Sequence, residues 1–154
     1  EVEDLHARRQ ALAEVLVATA ITGLLAGVVS TSIYQFVTIT EHSSHKMTAL
    51  HEVQNAAYWV ALDGQAASAA VGGNQLSLTL PDGSSITYVL AGAGPRYELQ
   101  RTAGASTITV ARNITAVDFS LNGRLVTMTI TSSPESRWDI TEERMYKVYL
   151  RPAG

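Results

Sequence analysis

A long uncharged stretch near the N-terminus constrains this chain more than any other feature. The segment RRQALAEVLVATAITGLLAGVVS occupies residues 8–30, and residues 15–40 form a run of 26 residues without a charged side chain. As an α-helix this run, hereafter the apolar run, would be about 39 Å long, whereas the hydrocarbon core of a bilayer is roughly 30 Å thick. The apolar run therefore predicts a membrane-spanning helix.

The same helix is predicted to continue well beyond the apolar run. Residues 12–63 contain no proline, and their only glycines are Gly23 and Gly27. We predict a transmembrane and assembly half at residues 10–40 and an amphipathic half at residues 41–63. The apolar positions of the second half recur at steps of three and four residues, which places them on one face: Met47, Leu50, Val53, Ala57 and Val60.

The amphipathic half is expected to be the part of the helix that packs on a folded domain. We predict helix–sheet packing by Leu50, Val53 and Trp59, with Tyr58 at the same junction. The ionisable side chains lie on other faces of this half: Glu41, His45, His51 and Glu52. Glu41 and His45 are four residues apart and could share a metal, but His51 points to the far side of the helix, which disfavours a three-ligand site. We therefore interpret these side chains as solvated.

The remainder of the chain, residues 64–154, has the alternating pattern of antiparallel strands. Pro81-Asp82-Gly83 and Asn122-Gly123 supply turn residues between alternating segments, and Asn-Gly favours a type I′ hairpin. The predicted strands are residues 75–80, 84–90, 96–101, 106–111, 115–121, 124–131 and 144–151, with a loop at 132–143. The predicted fold class is α+β, a long N-terminal helix packed on a small antiparallel sheet.

Basic residues stand at the N-terminal edge of the apolar run. Residues 1–9 end in Arg8 and Arg9, and we interpret them as a leader-like basic segment. Positive charge beside a span favours a cytoplasmic N-terminus and a translocated C-terminal domain. A cleaved signal peptide is the poorer interpretation, since its apolar core is usually shorter than this run.

Glu14 is the carboxylate at the head of the apolar run, and two interpretations of it stay open. In a plain signal anchor it is an interfacial carboxylate favoured by the dipole near a helix start. Alternatively it faces a counter-charge, because an ionisable group in a span is costly. If the chain were cut before Gln10, the new amino terminus would lie one helical turn from Glu14 and supply that charge.

Gly23 and Gly27 form a GxxxG pattern inside the apolar run. This spacing lets two helices approach closely in lipid or in the core of a helical filament. Small residues are also common in any membrane span, so a plain span is the alternative interpretation. We predict that both glycines contribute to helix packing.

Composition excludes several functional classes. A net charge of −3 and a pI near 5.8 argue against nucleic-acid binding through a broad basic surface. The absence of cysteine excludes disulfides, thiolate metal sites and cysteine nucleophiles. No phosphate-binding loop, nucleophile elbow or HExxH motif occurs. We therefore predict no enzyme activity, no cofactor and no metal.

The residues LAEVLVATAITGLLAGVVS, 12–30, resemble the N-terminal segment of type IV pilins and type II secretion pseudopilins. Two further stretches extend the resemblance. VQNAAYWVALDGQAA at 53–67 is similar to the end of the long helix in minor, J-type pseudopilins and minor pilins, and MYKVYLR at 145–151 is similar to their last strand. The resemblance implies the pilin fold.

The resemblance also implies roles for individual residues. In that family a prepilin peptidase cuts after a glycine. The mature chain then begins with an N-methylated residue, usually Phe, and the fifth residue of the mature chain is Glu. Aligning that Glu with Glu14 implies a processing site between Arg9 and Gln10. Here Arg9 stands where the family has Gly, and Gln10 where it has Phe. Glu14 is then expected to set register and assembly.

A second implication concerns the C-terminal loop. Related major pseudopilins bind calcium in such a loop, and here the corresponding acidic residues are Asp139, Glu142 and Glu143. Their spacing matches no strong calcium motif, so a solvent-exposed loop is the preferred interpretation. Trp138 is expected to anchor this loop on the sheet.

The function that these features indicate is structural. We expect a pilin-like subunit that is held in the cytoplasmic membrane by one span and is then assembled into a type IV pilus or type II secretion pseudopilus. Its expected partners are copies of itself, other pilin-like subunits and a prepilin peptidase, with no nucleic acid. The alternative is a signal-anchored extracytoplasmic β-domain that binds a ligand or partner, with the helix as tether only.

Overall fold

The structure, a computed structural model, describes the backbone of residues 2–134 and 139–152, and the side chains of those residues except 2–5 and 7. Helix α1 is Val2–Ala66, and the strands are β1 Ala69–Val71, β2 Gln75–Thr79, β3 Ser85–Ala91, β4 Tyr97–Ala103, β5 Ser106–Asn122, β6 Leu125–Ser132 and β7 Glu142–Tyr149. The chain divides into two compact units, Glu1–Glu41 and His42–Gly154, which are treated in turn.

The second unit has an α+β architecture. Its seven strands form one antiparallel sheet in the order β1-β2-β3-β4-β5-β6-β7, so each strand pairs with its neighbours in sequence. The C-terminal part of α1 packs on this sheet. The predicted fold class, a long N-terminal helix on an antiparallel sheet, is confirmed and is consistent with a pilin-like fold.

The face of α1 that meets the sheet differs from the predicted one at its ends. The buried helix positions repeat at three- and four-residue steps: Ala49, Val53, Ala56, Ala57 and Val60. Leu50 is half-buried, and Trp59 packs at the margin of the core. The predictions for Met47 and Tyr58 were wrong, because these side chains are 57% and 62% exposed. Small alanines, which allow close approach to the sheet, take the buried places instead.

The sheet contributes the other half of the core through alternate residues. In β6 every second side chain is buried, and the same alternation occurs in β2 and β3. The largest fully buried side chains are Tyr88, Phe119, Leu76, Leu78, Leu99, Ile114, Met128 and Ile130. This alternation is why the hairpins could be predicted from the sequence.

Strand β5 is the main departure from the predicted topology. Residues 106–111 and 115–121 were predicted as separate strands, but they belong to one strand of 17 residues. The register of β4 and β5 passes from Thr109 to Ala111, so Val110 has no partner in β4, and Asn113 has a positive φ of 56°. These irregularities bend β5 without ending it, whereas the local sequence predicted two separate strands.

Side chains of α1 bond the backbone of β5 at this irregularity. The Asn55 amide donates to the Val110 carbonyl oxygen at 2.6 Å, and the Arg112 backbone N–H donates to the Glu52 carboxylate at 2.6 Å. A backbone group left outside a sheet ladder needs such a partner when it is removed from water. Glu52, which we had placed on a solvated face, is therefore half-buried and part of the helix–sheet junction.

The sheet also closes on itself near Gly72 and Gly73. Gly73 and Phe119 exchange two backbone hydrogen bonds of 2.7 and 3.1 Å, which joins the chain just before β2 to the far part of β5. A Cβ atom on Gly72 would overlap the Phe119 carbonyl oxygen and a methyl group of Leu121. Close backbone approach therefore requires glycine at position 72.

We expect Gly72→Ala to lower the free energy of unfolding by about 2 to 3 kcal/mol, because the Phe119 backbone cannot move away without opening the bridge. Gly64→Ala is the matched control. There the added Cβ would lie 2.9 Å from a methyl carbon of Val148, a side chain that can rotate, and alanine also favours the helix. Thermal unfolding of both variants should show a clearly larger loss for Gly72→Ala; equal losses would contradict the close-approach account.

A buried charged cluster joins the end of α1 to β3 and β4. The Asp63 carboxylate accepts two hydrogen bonds from the Arg101 guanidinium, at 2.6 and 2.9 Å, and a third from the Tyr88 hydroxyl. Asp63 is 5% exposed and Tyr88 is fully buried. The guanidinium carbon of Arg101 also lies 5.1 Å from the centre of the Trp59 ring, which adds a cation–π contact.

The cluster makes stability dependent on pH in the alkaline range. Burial, followed by the hydrogen bond to Asp63, raises the pKa of Tyr88 above its usual value near 10. The folded state thus retains the phenol proton that the unfolded state releases, so this contribution is complete below about pH 10 and is lost as pH rises further. We expect urea unfolding free energies to fall between about pH 9 and 11, with a smaller fall in Tyr88→Phe. An identical fall of the unfolding free energy with pH in both proteins would contradict the assignment of this pH dependence to Tyr88.

Candidate membrane and assembly segment

Large apolar side chains of the first unit, Glu1–Glu41, are exposed among the described residues of that unit. Every large aliphatic or aromatic side chain of the following set is more than half exposed: Leu12, Val15, Leu16, Val17, Ile21, Leu24, Leu25, Val28, Val29, Ile33, Tyr34, Phe36, Val37 and Ile39. Exposed apolar surface on this scale requires a covering partner or lipid. Near its N-terminal end, helix α1 is long and apolar enough to cross a membrane.

Five hydroxyl side chains within the apolar run hydrogen-bond to the backbone of the helix itself. Hydroxyl groups donate to the carbonyl oxygen four residues earlier at 2.7 to 2.9 Å in five places: Thr19, Thr22, Thr31, Ser32 and Thr40. In lipid or a dry helical core, each such hydroxyl would otherwise be unpaired. The run is thus suited to an environment without water.

Glu14 lies at the head of this segment without a cation beside it on the same helix. The neighbours one turn away are Gln10, Ala11, Val17 and Ala18, since residues three and four apart share a helix face. Within the described residues, Glu14 forms no ion pair or hydrogen bond. Another chain, lipid headgroups or a new amino terminus can supply a positive partner for this exposed carboxylate.

The predicted processing residues lie inside α1. Arg9 and Gln10 are both exposed, and the helix passes through them from Val2 onward. Arg9 is five residues from Glu14, which places the two side chains on different sides of the helix. Gln10, in contrast, lies one turn below Glu14 on the same side, where both residues contribute to one shallow groove with Val17 and Ile21.

Gly23 and Gly27 lie in the middle of the apolar run. A Cβ atom added at either position would meet nothing within 4 Å. Together with Leu24, Val28 and Thr31 they line a second shallow groove on the helix surface. The helix surface is therefore open where the GxxxG pattern predicts packing by a second helix.

The other acidic and histidine residues that were considered as metal ligands do not form a site in the described part of the chain. Among the described residues, no group of three or more His, Asp or Glu side chains is placed to hold a metal ion. In the C-terminal loop region Glu142 pairs with Arg144 at 3.0 Å, and Asp139 is exposed with a φ of 47°. The predicted anchor Trp138 lies outside the described residues.

The charged cluster around Asp63 was not predicted from the sequence. A signal for it existed, because Asp63 follows Val60 by three residues and so continues the buried face of α1. A carboxylate at such a position requires a buried partner. The partners, Arg101 and Tyr88, are contributed by two different strands, and only the register of β3 and β4 places them opposite one another.

Comparison with known proteins identifies no relative, since no family model, curated protein or solved structure matches this chain.

Proposed function

We propose that this chain is a structural, pilin-like subunit rather than an enzyme. In this proposal the N-terminal half of α1 holds the subunit in the cytoplasmic membrane and then assembles it into a type IV pilus or type II secretion pseudopilus. The observation that carries the proposal is the apolar run itself, whose large apolar side chains are more than half exposed, headed by the lone carboxylate of Glu14. The antiparallel sheet on the C-terminal part of the same helix supports it further.

The physical basis is an exchange between two dry environments. Lipid first covers the apolar side chains, and after assembly the equivalent helices of neighbouring subunits cover them. Leaving the membrane would normally expose the whole segment to water, at a free-energy cost that scales with its apolar area. Burial among similar helices offsets that cost, and the self-satisfied hydroxyls remain paired in both environments.

The proposal specifies orientation, processing and partners. Arg8 and Arg9 favour a cytoplasmic N-terminus, so the sheet domain would lie outside the membrane. A prepilin peptidase would cut between Arg9 and Gln10 and create an amino group one turn from Glu14. The partners are then further copies of this chain and other pilin-like subunits.

Exchanging the membrane segment tests this proposal against the tethered β-domain. Residues 10–30 would be replaced by an unrelated span of equal length and hydrophobicity, with Arg8 and Arg9 kept to preserve orientation. A tether tolerates the exchange, whereas an assembly helix does not, because its packing surface is lost.

We expect the exchanged chain to insert normally, by protease accessibility in the native cells, and to fall at least about tenfold in the sheared filament fraction. Insertion serves as the internal control, because a chain that fails to insert says nothing about assembly. Absence of the unmodified chain from the filament fraction would favour the tethered domain, and unchanged recovery after the exchange would contradict a specific assembly role for residues 10–30.

A further inference from the structure

A cleft opens where the sheet closes on itself. Strands β2, β3, β4 and β5 pair in order, and the Gly73–Phe119 bridge returns β5 to the beginning of β2. The cleft lies at the end of this ring and has a volume of about 470 Å³. That volume lies within the roughly 300 to 1,000 Å³ of small-molecule sites, which often occur at the mouths of barrel-like sheets.

The polar side chains of the cleft are free to bind a ligand. Asn74 and Gln75 present two carboxamides from the start of β2, and Tyr97 presents a phenol from the start of β4. None of these side chains hydrogen-bonds to another part of the chain that the structure describes. Each carboxamide and the phenol can both donate and accept hydrogen bonds.

The cleft has no charge to match a charged ligand. Among the described residues that line it, none carries a carboxylate, ammonium, guanidinium or imidazole group. Its apolar lining comes from Val89, Leu90 and Val117, and Val89 is 36% exposed. Small apolar faces alternating with two-way hydrogen-bonding groups match a sugar ring, which presents C–H faces and hydroxyl groups together.

Uncharged side chains continue from the cleft across three strands. Gln75 is opposite Val89, and Val89 is opposite Gln100. The uncharged row ends there, because the next residue, Thr109, donates its hydroxyl to the Glu98 carboxylate at 2.9 Å. Neighbouring strands lie about 4.8 Å apart, comparable to the length of one unit in an extended sugar chain. Strands β3, β4 and β5 are interior to the sheet, so they offer no free edge for an added peptide strand.

We propose that this cleft binds a neutral oligosaccharide of hexopyranose units. The carboxamides of Asn74 and Gln75 bond ring hydroxyls, the apolar lining contacts the C–H face, and the row from Val89 to Gln100 receives the next unit. This inference is independent of the assembly proposal, because the cleft lies in the sheet domain and its binding is measured on unassembled chain.

The test uses the whole chain in lipid nanodiscs and isothermal titration calorimetry. The probes are maltohexaose, cellohexaose and hexa-N-acetylchitohexaose, with hexagalacturonate as the charged comparator. We expect saturable binding of at least one neutral probe and at least about tenfold weaker binding of hexagalacturonate, whose carboxylates find no counter-charge. No binding of any neutral probe at millimolar concentration, or equal binding of hexagalacturonate, would overturn the proposal.

Paired variants locate the site. Asn74→Ala with Gln75→Ala should weaken binding at least about tenfold, because two neutral hydrogen bonds contribute on that scale. The matched control, Gln54→Ala with Gln65→Ala, removes two exposed carboxamides from α1 and should leave binding unchanged. Thermal unfolding checks that both proteins are folded. Equal affinities in the two double variants would place the ligand elsewhere and overturn the assignment of the cleft.

Discussion

Asp63→Ala is expected to lower the free energy of unfolding by about 3 kcal/mol or more, the scale for removing one partner of a buried ion pair. The loss has two sources. The Arg101 side chain, only 16% exposed, would keep its charge without a carboxylate, and the Tyr88 hydroxyl would lose its acceptor in a fully buried position. Urea unfolding of the whole chain in non-ionic detergent, followed by near-ultraviolet circular dichroism, measures the change.

Glu98→Ala is the matched control for Asp63→Ala. Glu98 is also a carboxylate beside an arginine, but it lies 3.4 Å from Arg112, and the two side chains are 44% and 69% exposed. Exposed pairs contribute about 0 to 1 kcal/mol, so Glu98→Ala should be nearly neutral. Similar losses in the two variants would mean that the Asp63 cluster is not desolvated.

A combined replacement separates the cost of an orphaned charge from the contribution of the cluster as a whole. In the variant Asp63→Leu, Tyr88→Phe and Arg101→Met, no charge or hydroxyl of the cluster is left unpaired. Such apolar replacements of complete buried networks are often neutral or stabilising. We expect the triple variant to recover most of the stability lost in Asp63→Ala. A triple variant as unstable as Asp63→Ala would show that the cluster itself contributes net stability.

The parts of the fold that the sequence predicted are those set by local periodicity. The apolar run and the three- and four-residue steps from Val53 to Val60 indicate a helix without reference to anything distant. The hairpins at Pro81-Asp82-Gly83 and Asn122-Gly123 follow from turn chemistry between alternating strands. In each case the signal and the element that it predicts occupy the same short stretch of chain.

The parts that were missed depend on partners distant in sequence. Strand β5 looked broken near Asn113, yet it continues because Asn55 and Glu52 of α1 bond its irregular backbone. Strand β1, of three residues, is too short to show a periodicity.

Met47 is apolar and in register with the buried face of α1, but it is exposed. Periodicity identifies a face of a helix, and it does not say how far along the helix the covering sheet reaches. Of the assembly segment, the sequence indicated Glu14, Gly23 and Gly27, and the structure places all three on an open helix surface. A partner for that surface would be another molecule, so the sequence of one chain does not identify it.

The largest functional effect is expected from Glu14→Ala, which should insert in the membrane normally and be recovered in filaments at least about tenfold less than the unmodified chain. Insertion should not suffer, because removing an ionisable group from the edge of a span lowers the cost of burying it. Assembly should suffer, because the carboxylate has no partner on its own helix and is available to a positive group of a neighbouring subunit. In a dry helical core, that pairing favours one register over others.

Glu41→Ala is the matched control for this prediction. Glu41 is the first charged residue after the apolar run, and like Glu14 it is exposed. The fraction of each variant in sheared filaments, divided by its amount in the membrane, isolates assembly from insertion. Glu14→Gln then distinguishes charge from shape, because it keeps the side-chain length and removes only the negative charge. A role in register through charge requires that Glu14→Gln fail as Glu14→Ala does and that Glu41→Ala assemble normally. Normal assembly of Glu14→Ala would instead leave Glu14 as an interfacial carboxylate at a helix start, with no role in register.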